Sequence, residues 1–99
     1  MSVPVVYLPT AEDDIDEGFN WYEGQLTGLG DQFLAELRDT LDRIRDNPQL
    51  YAAFRRDIRA APLHRFPYVV YYRDRGSDAL VIAVQHGRRT FRAGSGRNP

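Results

Sequence analysis

The sequence predicts an α+β domain: a strand, an antiparallel helical hairpin, then three antiparallel strands, with the helices packed on one face of a small sheet. Three observations carry this. Ile15, Phe19, Tyr22 and Leu26, and then Phe33, Leu37, Leu41 and Ile44, recur at spacings of three and four, which lines up one face of each of two consecutive helices. Residues 68–73 and 80–86 are rich in β-branched and aromatic side chains and flank a segment containing Asp74, Gly76, Ser77 and Asp78, the signature of a β-hairpin. Finally, a chain of 99 residues can bury one modest core, so helices and strands share it as two layers.

Residues 3–8, Val-Pro-Val-Val-Tyr-Leu, read as a strand opened by Pro4, which cannot donate to a ladder. Thr10 stands at the expected N-cap with Asp13 at the capping-box offset, and the carboxylates of the first turn suit the helix dipole. Gly28 and Gly30 punctuate the end of this helix. A second helix is expected from Asp31, its stripe widened by Leu34, and Asn47-Pro48 stops it, because the residue before proline is driven out of helical space. The short loop between the two makes the helices antiparallel neighbours. A further strand is expected over 57–61, ended by Pro62. In the hairpin, Tyr68, Val70 and Tyr72 alternate with Val69, Tyr71 and Arg73, so both faces carry apolar bulk and the strand belongs inside the sheet. On the returning strand, Leu80, Ile82 and Val84 are expected on one face, with Val81, Ala83 and Gln85 opposite. Residues 1–91 thus form one domain, and 92–99, polar and without periodicity, a flexible tail.

Composition narrows the chemistry. No apolar run is long enough to span a bilayer and no basic-then-apolar leader opens the chain, so a cytoplasmic location is expected. The absence of cysteine removes disulfides, thiol catalysis and cysteine-ligated zinc. All 13 basic residues are arginine, so chemistry that needs a titratable amine is closed. The net charge of −1 conceals a polarity along the chain. Residues 1–50 carry eleven acidic side chains against three arginines, and residues 51–99 carry ten arginines against three acids.

The acidic positions Glu12, Asp13 and Asp14 diverge around a helix and cannot converge on one ion, so no metal site is expected there. On the second helix, Arg38 with Asp42 and Asp39 with Arg43 stand at i, i+4, as on a solvated face. Ser2, Ser77 and Ser95 lie in a terminus, a turn and a tail, without the adjoining base that a nucleophile needs. His64 and His86 each adjoin strand ends, either as surface hydrogen-bonding residues or as the only side chains with an ordinary pKa near neutrality. Arg55, Arg56, Arg59, Arg65, Arg88 and Arg89 come from strands or strand ends expected to be adjacent. They form either a solubilising rim or a single basic surface that grips phosphates or carboxylates through forked donors.

Trp21-Tyr22 late in the first helix, residues 33–41 of the second, Asn47-Pro48, then Arg65-Phe66-Pro67-Tyr68 with Tyr71-Tyr72-Arg73, and His86-Gly87-Arg88-Arg89 at the end of the last strand together resemble the ParE branch of the RelE/ParE toxin superfamily. The resemblance spans about residues 3–91 and implies the same fold, a helical hairpin on a small antiparallel sheet. It further implies the toxin of a type II toxin–antitoxin pair of the plasmid-stabilisation kind. Such a toxin poisons DNA gyrase by binding, without catalysis or cofactor. It is neutralised in a hetero-oligomer by a ParD-like antitoxin with an acidic C-terminal segment. No membrane partner and no sequence-specific DNA binding by the chain alone are expected. Arg59, Arg65, His86, Arg88 and Arg89 are the expected gyrase contacts; Trp21, Tyr22, Arg55, Arg56, Tyr71 and Arg73 are the expected antitoxin contacts, Trp21 being alternatively a core residue. Two other readings accompany this one. RelE-like members cut ribosome-bound mRNA with lysines, arginines and a C-terminal tyrosine. Here lysine is absent, Tyr72 is the last tyrosine and Phe91 occupies the tail, so such cleavage would rest on His64 or His86. An inactive homologue serving only antitoxin binding and operon autoregulation is the third.

Overall fold

The computed structural model describes residues 2–88. They form β1 (Val5–Tyr7), α1 (Pro9–Gln25), α2 (Leu29–Asp46), β2 (Ala53–Arg55), β3 (Ile58–Pro62), β4 (Tyr68–Asp74) and β5 (Ala79–His86). The sheet order is β1-β5-β4-β3-β2, with β1 parallel to β5 and every other pair antiparallel. Both helices contribute to a core on one face, where Phe33, Leu37, Leu41 and Ile44 of α2 meet Val70, Tyr72, Val81 and Val84. Each such aliphatic or aromatic side chain stabilises the fold by about 1.5–3 kcal/mol when fully buried. The α+β class, the helical pair and the three antiparallel strands β3, β4 and β5 match the expectation. The expected tail, 92–99, lies outside the described residues.

Several local expectations are corrected. The N-cap of α1 is Leu8, with Pro9 at the first helical position, where the missing N–H costs nothing and the fixed φ is already helical. Thr10 is inside the helix and its Oγ1 is buried without a partner. The second helix begins at Leu29, just after Gly28, which holds φ 91°, a left-handed value that glycine adopts without steric cost. The Glu23 carboxylate accepts the N–H groups of Gly28 and Gly30, each at 2.9 Å, and so serves as the cap of α2 from the preceding helix. Gly30 also permits close packing: a Cβ there would stand 2.8 Å from the Phe19 ring. Asp42 pairs with Arg45 at 2.7 Å rather than with Arg38, and Arg43 turns to Tyr51 Oη at 3.2 Å.

The chain after α2 contains four strands where three were expected, because residues 53–55 pair with β3. The larger correction is on β5. Register shifts between Tyr71↔Ala83 and Tyr72↔Val81, a β-bulge that opposes an extra residue to β4 and resets the alternation of faces. Ala79, Val81 and Val84 therefore join the helix-facing core, whereas Ile82 and Ala83 join Ile58 and Tyr71 on the opposite face. Asp14 explains how the bulge is held. Its carboxylate is buried under α1 and accepts the Val84 N–H at 3.0 Å, satisfying a backbone donor inside the core.

Candidate partner-binding site

The residues that the sequence singles out are sorted by strand direction. Tyr68 opens β4 opposite His86, which closes β5; Arg65 precedes the first and Arg88 follows the second. Arg73 lies at the other end of β4, five residues on, or about 17 Å at ordinary strand rise. Arg73 pairs with Ile58 and Arg55 pairs with Ile58 across the neighbouring ladder, so Arg55, Arg56 and Arg73 share that far end. There Arg73 contacts Asp57 at 3.3 Å, and Arg56 holds φ 51° at the turn between β2 and β3. Arg59 donates to the Tyr51 carbonyl at 2.7 Å, which fastens the segment after α2. Of the two readings the sequence leaves open for these arginines, a rim or a single basic surface, the register places Arg55, Arg56 and Arg73 at one end of the sheet and Arg65 and Arg88 toward the other. Arg89 lies outside the described residues.

At the near end the structure assembles a groove. Trp21, Tyr22, Tyr68, His86 and Arg88 line a cavity of about 560 Å³. Trp21 is 61% exposed, so it is not core: it neighbours Tyr22 on α1 but projects about 100° away around the helix. Tyr22 points inward and stacks edge-on with Phe66 at 4.8 Å, while Tyr68 meets Phe33 at 5.1 Å and His86 at 5.6 Å, geometries that favour aromatic pairs. Burial raises the Tyr22 phenol above its usual value of 10.0, with Tyr68 adding to the effect, so it remains a neutral donor near neutrality. The Arg88 N–H donates to His86 Nδ1 at 3.1 Å. In the neutral ring the proton must then sit on Nε2, so His86 and Arg88, which line the same cavity, both carry N–H donors. The groove offers aromatic faces and hydrogen-bond donors, a combination suited to an acidic partner with apolar anchors.

The loop between β3 and β4 stands behind the groove, where its buried Phe66 packs against Tyr22, and is pinned from below. The carboxylate of Glu36 on α2, only 7% exposed, accepts the N–H groups of His64 and Arg65, the latter at 2.7 Å, and Arg65 Nε at 3.2 Å. Burial alone pushes the Glu36 pKa up, but the Arg65 and His64 backbone donors and the Arg65 guanidinium outweigh it and hold the group below its ordinary 4.5. Sequence reading missed Glu36, and its partners 28 and 29 residues away leave no local signal. Of the other expected contacts, Tyr71 is 6% exposed on the far face of the sheet. A separate cleft of about 380 Å³ between the helices and β1, floored by Tyr7, Ile15, Leu34 and Leu37, contains none of the expected gyrase or antitoxin contacts. Among the described residues no cluster of three or more metal-ligating side chains exists, and no helix is long and apolar enough to cross a membrane.

Fold and groove define the class: a small α+β domain with an aromatic and cationic surface open at one end of its sheet. The family model of the ParE toxin of type II toxin–antitoxin system, parDE, matches residues 5–91. The chain belongs to this ParE toxin family. Among solved structures it is similar to the chromosomal ParDE TA system from P. aeruginosa, with a TM-score of 0.75 at 12% identity over 86% of this chain and 96% of that one. At that identity the likeness speaks for the fold. No curated protein matches the chain.

Proposed function

We propose that this ParE-family chain acts in the cytoplasm as a toxin that binds and poisons DNA gyrase, and that a ParD-like antitoxin with an acidic C-terminal segment neutralises it in a hetero-oligomer. The observation that supports this most is the family match over nearly the whole described chain, joined to a groove made of donors and aromatic faces instead of a proton-transfer pair. The groove's one imidazole, His86, has its Nδ1 engaged by the Arg88 N–H.

Trp21 and Tyr22, expected to meet the antitoxin, and His86 and Arg88, expected to meet gyrase, line one groove. The proposed antitoxin therefore neutralises by covering the surface that the target needs. Purified toxin added to a gyrase supercoiling assay should reduce supercoiling and accumulate cleaved DNA, and antitoxin should restore activity. Trp21→Ala should weaken both effects at least tenfold while leaving the melting temperature within about 2 °C, since an exposed side chain contributes little to folding. Unaltered supercoiling at saturating toxin, or degradation of translated mRNA abolished by His86→Ala, would overturn the gyrase reading in favour of mRNA cleavage.

A further inference from the structure

The sheet ends in two edge strands, β1 and β2, and they are guarded differently. β2 closes on Arg55, with Arg56 at the turn that follows, charges that deter pairing by another chain. β1 carries no charge: it is Val5-Val6-Tyr7, with Val6 41% exposed. Its backbone alternates. The Pro4 carbonyl accepts the Ala79 N–H and the Leu8 N–H donates to the Val81 carbonyl, each at 3.0 Å, so even positions face β5. Odd positions face away, and the Val3 N–H turns outward to the Arg45 carbonyl at 3.0 Å. Val5 and Tyr7 therefore set two N–H and two C=O groups along the outer edge. Among the described residues β5 is the only strand paired with β1, and no turn or loop bond uses these four groups. The open window is short, bounded by Arg45 at the Val3 end and by Pro9, where α1 begins, at the other.

We propose that a second copy of this chain pairs with this edge, β1 against β1 in antiparallel sense about a two-fold axis between the two Val6 residues, joining both five-stranded sheets into one. In that register Val5 of each copy stands opposite Tyr7 of the other. Each such pair exchanges both N–H···O bonds, so every outward group of the two edges is satisfied. Val6 meets its symmetry mate as the closer, non-hydrogen-bonded pair, which covers the exposed valine. The same three residues serve both partners, so the contact closes on itself. Charge also favours a copy. Beside β1, the cleft toward α1 is lined by Glu12 and Asp16 without a base, and the cleft toward α2 by Arg38 and Arg45 against one acid, Asp42. Antiparallel pairing sets the α1 side of one copy beside the α2 side of the other, where the surplus charges are opposite. The aromatic groove stays open in the pair. His86 lies six residues along β5 from Leu80, the ladder partner of Val6, or about 20 Å. The dimer thus presents two grooves, and its formation does not depend on whether gyrase is the target.

The test uses the full chain, Val6→Lys and Val6→Thr. Sedimentation between about 50 µM and about 1 mM should show the wild type passing from monomer to dimer, the range of a small interface. Over the same range, hydrogen exchange of the Val5 and Tyr7 amides should slow about fivefold or more, while the Val6 amide, which faces β5, stays constant. Val6→Lys sets like charges face to face across the axis and should raise the dimer dissociation constant at least about tenfold. Val6→Thr keeps a branched, uncharged side chain and should change it by less than about threefold. Both variants should melt within about 3 °C of the wild type, because the side chain is largely outside the core. A wild type that is still monomeric at about 1 mM overturns the proposal. So does a dimer that leaves the Val5 and Tyr7 amides unprotected, a result that stands even if a variant fails to fold. Protection of those amides only on addition of antitoxin likewise overturns it and assigns the edge to a strand of that partner.

Discussion

Removing the Glu36 carboxylate tests how the groove is held in shape. Its three hydrogen bonds join α2 to the loop that carries Phe66, and Phe66 in turn supports Tyr22. A hydrogen bond to a charged group contributes roughly 1.5–3 kcal/mol, but the sum must be discounted. His64 and Arg65 are exposed, so their N–H groups regain water when the carboxylate is lost. The Arg65 side chain is 68% exposed, which limits the ion pair to less than about 1 kcal/mol. Glu36→Ala should therefore cost about 2–3 kcal/mol, a fall in melting midpoint of roughly 10–15 °C for a domain of this size.

The same site carries a pH signature. Because the folded-state pKa lies below the ordinary 4.5, the stabilisation is fully present above about 4.5 and is lost as pH falls through the folded value. Glu36→Gln keeps the shape and removes the titration. Denaturant unfolding of both proteins from pH 7 to pH 3 should show wild type more stable at neutrality and the gap closing in acid. A gap that stays constant across that range would refute the assignment of the stabilisation to the ionised carboxylate.

Three further outcomes follow from the geometry. Asp14→Ala leaves the Val84 N–H buried without its acceptor and should cost about 1–3 kcal/mol in urea unfolding; Asn, which keeps an acceptor oxygen, should recover part of that. Gly30→Ala drives a methyl to within 2.8 Å of the Phe19 ring and 2.9 Å of Glu23 Oε1, and should destabilise by about 1–3 kcal/mol despite alanine's higher helix propensity. Tyr72 donates to the Pro48 carbonyl at 2.7 Å, and burial, partly offset by Arg59, pushes its phenol up to about 12. Spectrophotometric titration should find it un-ionised at pH 10, and Tyr72→Phe should lose about 1 kcal/mol.

The helices and the hairpin were legible because their apolar spacing survives in the sequence without knowledge of any partner. What was not legible depended on residues distant in the chain. The bulge in β5 is invisible locally, since Val, Ile and Ala stand on both its faces and a slipped alternation changes no residue type. Asp14 reads as one more acid in a dipole-favoured first turn, and only the approach of Val84, 70 residues away, gives it a separate task. Three-residue β2 has no period to detect. Pro9 was the exception, a usable signal that the hydroxyl of Thr10 overshadowed. In the site, residue types were readable but their grouping was not. Whether arginines on three strands converge depends on which strand tips coincide, and the register answers that.

That grouping shapes what the proposed toxin can do with two partners. Had the arginines merged into one basic face, an acidic antitoxin could hold it by charge alone, and salt would release it. With Arg55, Arg56 and Arg73 about 17 Å from Arg88, a single short acidic segment cannot satisfy both ends. Affinity must then come from apolar anchoring in the groove around Trp21, with the far arginines engaged only by an extended partner that crosses the molecule. Tight neutralisation by a long segment and displacement at one end by a competing partner are compatible on such a surface. Truncating the partner from the far end should weaken it gradually, whereas filling the groove should compete outright.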